Sequence, residues 1–364
     1  MKLLVLLNGG RTGTDFFQSL LDGHEQILQF PGTFFFDDLW NKTAKYKSAD
    51  KILDFFIKNY EKFFDSRINA EIERHNQLGE NKNEFYVFNK NIFISYFRDL
   101  SEKTDLNKKN VLTNLHLAYA KACYKNNDNR KIIVLQLQHI HRLQSLNDLD
   151  YEIIYTLRDP IVNISSIINN WTKYNDGKNF LPKDLNFHID RVINGIKDAS
   201  MFQKKIYVIK LEKLHHNNYD VMKNFCDKFD INYEKSMTES TYHGKKWWGD
   251  KIGGKYLNGI NLSYEGKINF DIFYDKDISI IEKCIEDQLK FYNYSKRSNK
   301  KLNFFLKYAP FKFEIKVWMQ AFKNLNIKAI ISIFPSWIKR VAILKRNNNL
   351  NINLPASLGE KKQI

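Results

Sequence analysis

The 364 residues contain no stretch near the roughly 20 consecutive apolar residues that a membrane-spanning helix needs. The apolar run at Leu3–Leu7 is too short for the core of a signal peptide, and no cleavage site follows it. It reads instead as a buried first strand. There are only three cysteines, Cys123, Cys226 and Cys284, widely spaced and without a CxxC or Cys/His pattern. That scarcity predicts free, buried thiols in a reducing, cytoplasmic compartment, and no metal site. Six prolines and fifteen glycines are too few for a fibrous or disordered chain. No internal repeat is present. The Gly-Lys-Ser/Thr end of a Walker A loop is also missing, which argues against a nucleotide kinase or an ATPase.

What the chain does have is positive charge, a net +16. The excess is local: Lys296 to Arg346 holds 13 basic residues and one acid, Glu314. Residues 298–364 are therefore read as a basic, aromatic, helical extension to a domain at 1–297. Val317–Leu325 and Ile327–Leu344 fit amphipathic helices, with Trp318, Phe322, Phe334 and Trp337 among the lysines. Asn347–Asn353 reads as a loose terminus. Three fates of the extension stay open: packing on the main domain, peripheral contact with an anionic membrane, or contact with an acidic glycan. Binding of nucleic acid or another polyanion without catalysis is an alternative reading of the charge. No RNA-binding or helix-turn-helix motif supports it.

Along the first 297 residues, short apolar runs alternate with helical patterns. Leu3–Leu7, Ile132–Gln138, Ile153–Leu157 and Ile206–Lys210 have the length and flanks of buried strands. Helices are predicted at Thr14–Gly23, Val111–Tyr124, Ile140–Leu146, Ile161–Trp171, Phe187–Phe202, Tyr219–Phe229 and Asp277–Leu289. Residues 34–130 form a long helical insertion between the first two of these strands. The pattern predicts an α/β fold with a mostly parallel sheet and a ligand site at the carboxyl ends of its strands.

Two segments at such strand ends have anion chemistry. Asn8-Gly9-Gly10-Arg11-Thr12-Gly13-Thr14-Asp15 joins a strand to a helix. Gly10 and Gly13 allow close backbone approach, Thr12 and Thr14 carry hydroxyls, and Arg11 carries a planar cation. Tyr155-Thr156-Leu157-Arg158-Asp159-Pro160 ends another strand, and Ser166 lies eight residues after Arg158. A guanidinium and a hydroxyl can hold a phosphate together. Arg158 could equally pair with Asp159, leaving Ser166 as a helix filler, with Ser165 the neighbouring alternative.

These segments resemble the two phosphate anchors of sulfotransferases that use 3′-phosphoadenosine-5′-phosphosulfate (PAPS). Arg11-Thr12-Gly13-Thr14 is similar to the family's 5′-phosphosulfate loop, and Leu21-Asp22-Gly23-His24 to the helix end that follows it. Asp15 departs from the Thr or Ser usual there. Arg158 and Ser166 match the family's 3′-phosphate pair. Ser240 to Asp250, with Gly244, Lys245, Lys246 and the Trp247-Trp248-Gly249 run, resembles a downstream loop whose basic residues close over that phosphate. The resemblance spans about residues 1–297 and implies a P-loop-like sulfotransferase fold. It also implies PAPS as co-substrate, PAP as product, and transfer to a hydroxyl or amine acceptor, a glycan or glycolipid among the candidates.

It further implies that Arg11 neutralises charge on the reacting group. The proton acceptor is then His139, at the end of the strand Ile132–Gln138, with His141 as fallback and Asp37 or Asp38 as acidic substitutes. His215-His216 reads as a solvated pair.

Overall fold

The computed structural model describes residues 1–68, 78–123, 129–173, 181–249, 259–266, 268–298, 308–349 and 353–358. Asp250 and most of the terminus after Asn349 lie outside them. The core is a five-stranded parallel sheet of β1 (Lys2–Asn8), β2 (Ile27–Gln29), β3 (Ile132–Gln138), β4 (Glu152–Leu157) and β5 (Ile206–Lys210), in the order β2-β3-β1-β4-β5. The four predicted strands are all present. β2 is an addition: at three residues it is too short to show a period, and it pairs at the edge inside what reads as one long connection.

β1 is central because its run is apolar on both faces, as a parallel strand covered on two sides must be. Leu3, Val5 and Leu7 face one layer, and Leu4 and Leu6 the other. The second layer holds α1 (Thr14–Ser19), with α8 (Leu211–His216) and α9 (Asn218–Phe229) after β5. The first layer is built from the insertion. Of its helices α2 (Phe36–Thr43), α3 (Ala49–Tyr60), α4 (Lys90–Lys103) and α5 (Lys108–Cys123), Phe56, Phe93 and Leu115 enter the core. After β4 come α6 (Pro160–Lys173) and α7 (Pro182–Ser200). Ile140–Leu146 is a 3₁₀ segment rather than an α-helix. A two-residue hairpin, β6 (Thr241–Tyr242) with β7 (Lys245–Lys246), lies beyond α9.

The remaining helices are α10 (Asp275–Cys284), α11 (Glu286–Phe291), α12 (Lys312–Lys323), α13 (Ile327–Ile331) and α14 (Ile333–Asn349). Part of the C-terminal segment completes a core of its own. Phe311, Phe313, Val317, Ile343 and Leu344 pack with Ile164, Ile189 and Ile281 of α6, α7 and α10. Arg340 and Glu314 are buried there as an ion pair at 3.2 Å. The segment 356–358 then pairs with Val208 and covers the free edge of β5. Cys123, Cys226 and Cys284 are free thiols, each raised by burial. Among the described residues no helix is long and apolar enough to cross a membrane, and no cluster of His, Cys, Asp and Glu has metal-ligand geometry.

Candidate active site

Sheet register brings the two predicted segments together. Asn8, the last residue of β1, lies beside Thr156 of β4, and Leu7 beside Gln138 of β3. The loop after β1 and Arg158 after β4 therefore leave the sheet from neighbouring strands at the same edge. In the loop Gly10, Arg11 and Gly13 have φ of +80°, +53° and +81°, a left-handed series that curls successive N–H groups into a concavity. Asn8 Oδ1 accepts from the Gly10 N–H at 2.9 Å. The N–H groups of Thr12, Gly13 and Thr14 meet no acceptor among the described residues.

The threonine hydroxyls are engaged with a neighbouring strand. Thr12 and Thr14 are buried, and their Oγ1 atoms lie 2.8 Å and 2.6 Å from Thr156 Oγ1. They clamp the loop onto β4, and its backbone N–H groups are the donors without a described acceptor. Gly13 is fixed by contact as well as conformation, since a Cβ there would stand 2.4 Å from Leu211 Cδ1. Gly13→Ala is expected to cost about 1–2 kcal/mol in denaturant unfolding. In a double-mutant cycle with Leu211→Ala, whose own core-truncation cost is measured in parallel, the steric part should vanish and the conformational part remain.

Asp15 turns away from the loop. Its Oδ1 accepts from Gln136 Nε2 at 2.7 Å, and its carbonyl accepts from Tyr242 at 3.2 Å.

Arg158 does not pair with Asp159. Asp159 caps α6 through the N–H groups of Ile161 and Val162, at 3.0 Å each, and binds Arg297 at 2.7 Å. Arg158 Nη1 donates to the Arg11 carbonyl at 3.3 Å, its Nε is buried without a partner, and no described carboxylate lies within ion-pair distance. Ser165 is committed to the fold, accepting from the Asn269 N–H at 2.8 Å. Ser166 stays half-buried, with no partner for its hydroxyl among the described residues.

The hairpin residues are held elsewhere. Gly244 donates to Asp22 at 2.8 Å, beyond the C-terminal end of α1. Lys245 and Lys246 bind Glu84 and Glu80 at 2.8 Å and 3.1 Å. The structure does not bring these two ammonium groups to the loop.

Arg191, on α7, is the residue sequence reasoning missed. It is half-buried beneath the loop, with its guanidinium donating to the carbonyls of Asn8 (3.1 Å) and Gln138 (2.9 Å) and to Asn8 Oδ1. No described carboxylate balances it, and burial holds its pKa below the ordinary value. The available signal was its face of α7: His188, Arg191 and Gly195 lie on one line, and Gly195 leaves room for the Tyr155 hydroxyl.

His139 follows Gln138, whose φ of +62° turns the chain at the end of β3. Its ring lies between Phe35 (6.5 Å) and Phe187 (5.7 Å) and stacks on His141 at 5.5 Å. Burial, then Arg191, His141 and Arg142, push its pKa down to about 4, so the ring is neutral at neutral pH. His141 is exposed. Asp37 and Asp38 are both held by Arg142, at 2.6 Å and 3.1 Å. His215 corrects the expectation of a solvated pair: it is 3% exposed, stacked between Phe16 (4.6 Å) and Tyr264 (4.4 Å). Only His216 meets solvent.

No family model matches the chain. A curated relative, Protein Ycf2 of Physcomitrium patens, is 27% identical over 255 residues, covering 64% of this chain and 11% of that protein. The chain thus spans about a tenth of the length of the relative it matches. Three solved structures are similar to it. The sulfotransferase domain from the curacin biosynthetic pathway is 14% identical over 84% of this chain and 95% of its own, with a TM-score of 0.40. Sulfotransferase STF9 from Mycobacterium avium is 13% identical over 82% and 78%, at 0.38. The sulfotransferase domain of the Synechococcus PCC 7002 olefin synthase is 11% identical over 66% and 77%, at 0.37.

Proposed function

We propose that this chain is a sulfotransferase that moves a sulfuryl group from PAPS to a hydroxyl or amine acceptor and releases PAP. One observation carries the reading. Three consecutive loop N–H donors without acceptors lie in a loop touched by two guanidinium groups, Arg158 and Arg191, that no described carboxylate balances. Such a constellation is electrostatically incomplete until an anion binds. Its two parts, the loop and the Arg158–Ser166 pair, suit an anion with two separate phosphate groups.

PAPS supplies, when bound, a sulfuryl group on a phosphate leaving group. The chain's own residues do the rest. The Gly10–Asp15 backbone holds the 5′ end, with Arg11 as the cation nearest the charge that develops. Thr12 and Thr14 take part through their N–H groups and keep the loop in shape through Thr156. Arg158 and Ser166 hold the 3′-phosphate. Gly244, Lys245 and Lys246 join this set only if Glu84 and Glu80 release the two lysines. His139 takes the acceptor's proton. An anion in the loop offsets Arg191, the largest charge depressing that ring, and so raises its basicity when the site is filled.

Thermal denaturation with added nucleotides tests this. PAP at about 100 times its Kd should add about 2.7 kcal/mol of stability and raise Tm by several degrees. ATP and a single-stranded oligonucleotide should raise it less. A larger shift with ATP favours a nucleotide kinase, and one with the oligonucleotide a nucleic-acid binder.

A further inference from the structure

The C-terminal helices divide their apolar residues between two destinations. Phe311, Phe313, Val317, Ile343 and Leu344 enter the core shared with α6, α7 and α10. A second set faces solvent: Phe322, Leu325, Ile327, Ile331, Phe334 and Ile338 are 49–81% exposed. They fall within seventeen residues, along the end of α12, α13 and the first turns of α14. So dense a group of large exposed side chains marks an interaction surface.

The charge along these helices has one sign. Lys316, Lys323, Lys328 and Lys339 are exposed, and residues 315–349 contain no Asp or Glu. Glu314 does not count against this, because it is buried on Arg340. Nor does Arg346 add to it, because Asp190 and Asp198 hold that side chain.

We propose that the α12–α14 surface docks on an anionic lipid bilayer. Leucine, isoleucine and phenylalanine side chains enter the acyl boundary, while lysine ammonium groups reach the headgroups. A second copy of the chain fits poorly, since it would set lysines against lysines with no acid to pair them. A nucleic acid would use the cations but leave the aliphatic side chains without partners.

Helix α14 also packs on α7, the helix that carries Phe187 and Arg191. Asn186 of α7 donates to the Ser336 carbonyl of α14 at 2.7 Å, and the next residue, Phe187, contacts His139. The docking itself does not rest on the sulfuryl-transfer reading.

The test is sedimentation of the full chain with vesicles of phosphatidylcholine alone or mixed with phosphatidylglycerol. Wild type should partition at least about tenfold more strongly to the anionic vesicles, with added salt weakening it. Leu325→Ser/Ile331→Ser/Phe334→Ser should lower that partition by about tenfold or more, and Lys323→Glu/Lys328→Glu should abolish the preference for anionic lipid. Both variants should keep the wild-type melting curve, since every changed side chain is exposed. Equal partition of wild type and variants overturns the proposal. So does light scattering that shows a wild-type dimer which the triple variant dissociates. PAP titration of the triple variant separates the two readings: unchanged PAP binding with lost vesicle binding supports both. Absent PAP binding in a wild type that still sediments with anionic vesicles removes the sulfotransferase reading alone.

Discussion

Arg191→Met is expected to weaken PAP binding by roughly thirtyfold, about 2 kcal/mol, while leaving Tm unchanged or raised. The two effects have one origin. Arg191 sits under the loop without a described carboxylate partner, so its bonds to Asn8 and Gln138, and no described ion pair, offset its desolvation. Methionine fills a similar volume without that cost. Against this gain stand the lost bonds to Asn8 and Gln138, at about 1–3 kcal/mol for each acceptor left buried and unsatisfied. The terms are of similar size and opposite sign, which is why the net stability change is small. Anion binding has no such cancellation, because the variant removes a cation from beside the bound charge. Calorimetry and thermal melting on the same preparation separate the outcomes. A large fall in Tm with unchanged affinity in the folded fraction would make Arg191 a scaffold residue.

The second expected result is acid unfolding driven by histidines. His116, 1% exposed, and His215, 3% exposed, are held neutral by burial, with pKa near 4 against the ordinary 6.5. His139 and His188 are lowered in the same direction, first by burial and then by Arg191. Between pH 6.5 and 4 the unfolded chain binds these protons and the folded chain does not, so stability falls as pH falls. Each fully buried histidine contributes up to about 1.4 kcal/mol per pH unit in that window, and the half-exposed ones less. The total approaches the whole stability of a typical protein before pH 4 is reached.

Three buried carboxylates, Asp277, Glu282 and Glu314, and the half-buried Asp198 are raised by desolvation and oppose the trend as they gain protons. The histidine contribution spans pH 6.5 to about 4, and the carboxylates subtract from it as the folded chain takes up their protons. Denaturant unfolding across this range should show stability flat above pH 6.5 and falling below it. His116→Leu should flatten the slope by about one proton. Stability that rises on acidification would contradict the burial of these rings.

The sheet was legible because its central strands are unbroken apolar runs with loops of distinctive chemistry at their ends. The loop at Gly10–Thr14 and the pair Arg158–Ser166 stood out for the same reason. What the sequence hid were relations across space. Thr12 and Thr14 read as loop hydroxyls, and only the fold shows Thr156 bonded to both. Lys245 and Lys246 look free until Glu84 and Glu80, more than 150 residues earlier, arrive beside them. His215 belongs to the buried stripe of α8 with Leu211 and Leu214, a helix too short for its period to be plain. In the basic segment, composition gave the charge but not the division between Phe313, in the core, and Phe334, in solvent.

The most direct test of the account is calorimetric titration of PAP into the wild-type chain and into Arg158→Ala. Arg158 has no described carboxylate to lose, so the substitution should leave the fold intact and remove a guanidinium from the bound phosphate. The account predicts binding on the order of micromolar to wild type and at least about tenfold weaker binding to the variant. No PAP binding to well-folded wild type, or equal affinity in the two proteins, would contradict it.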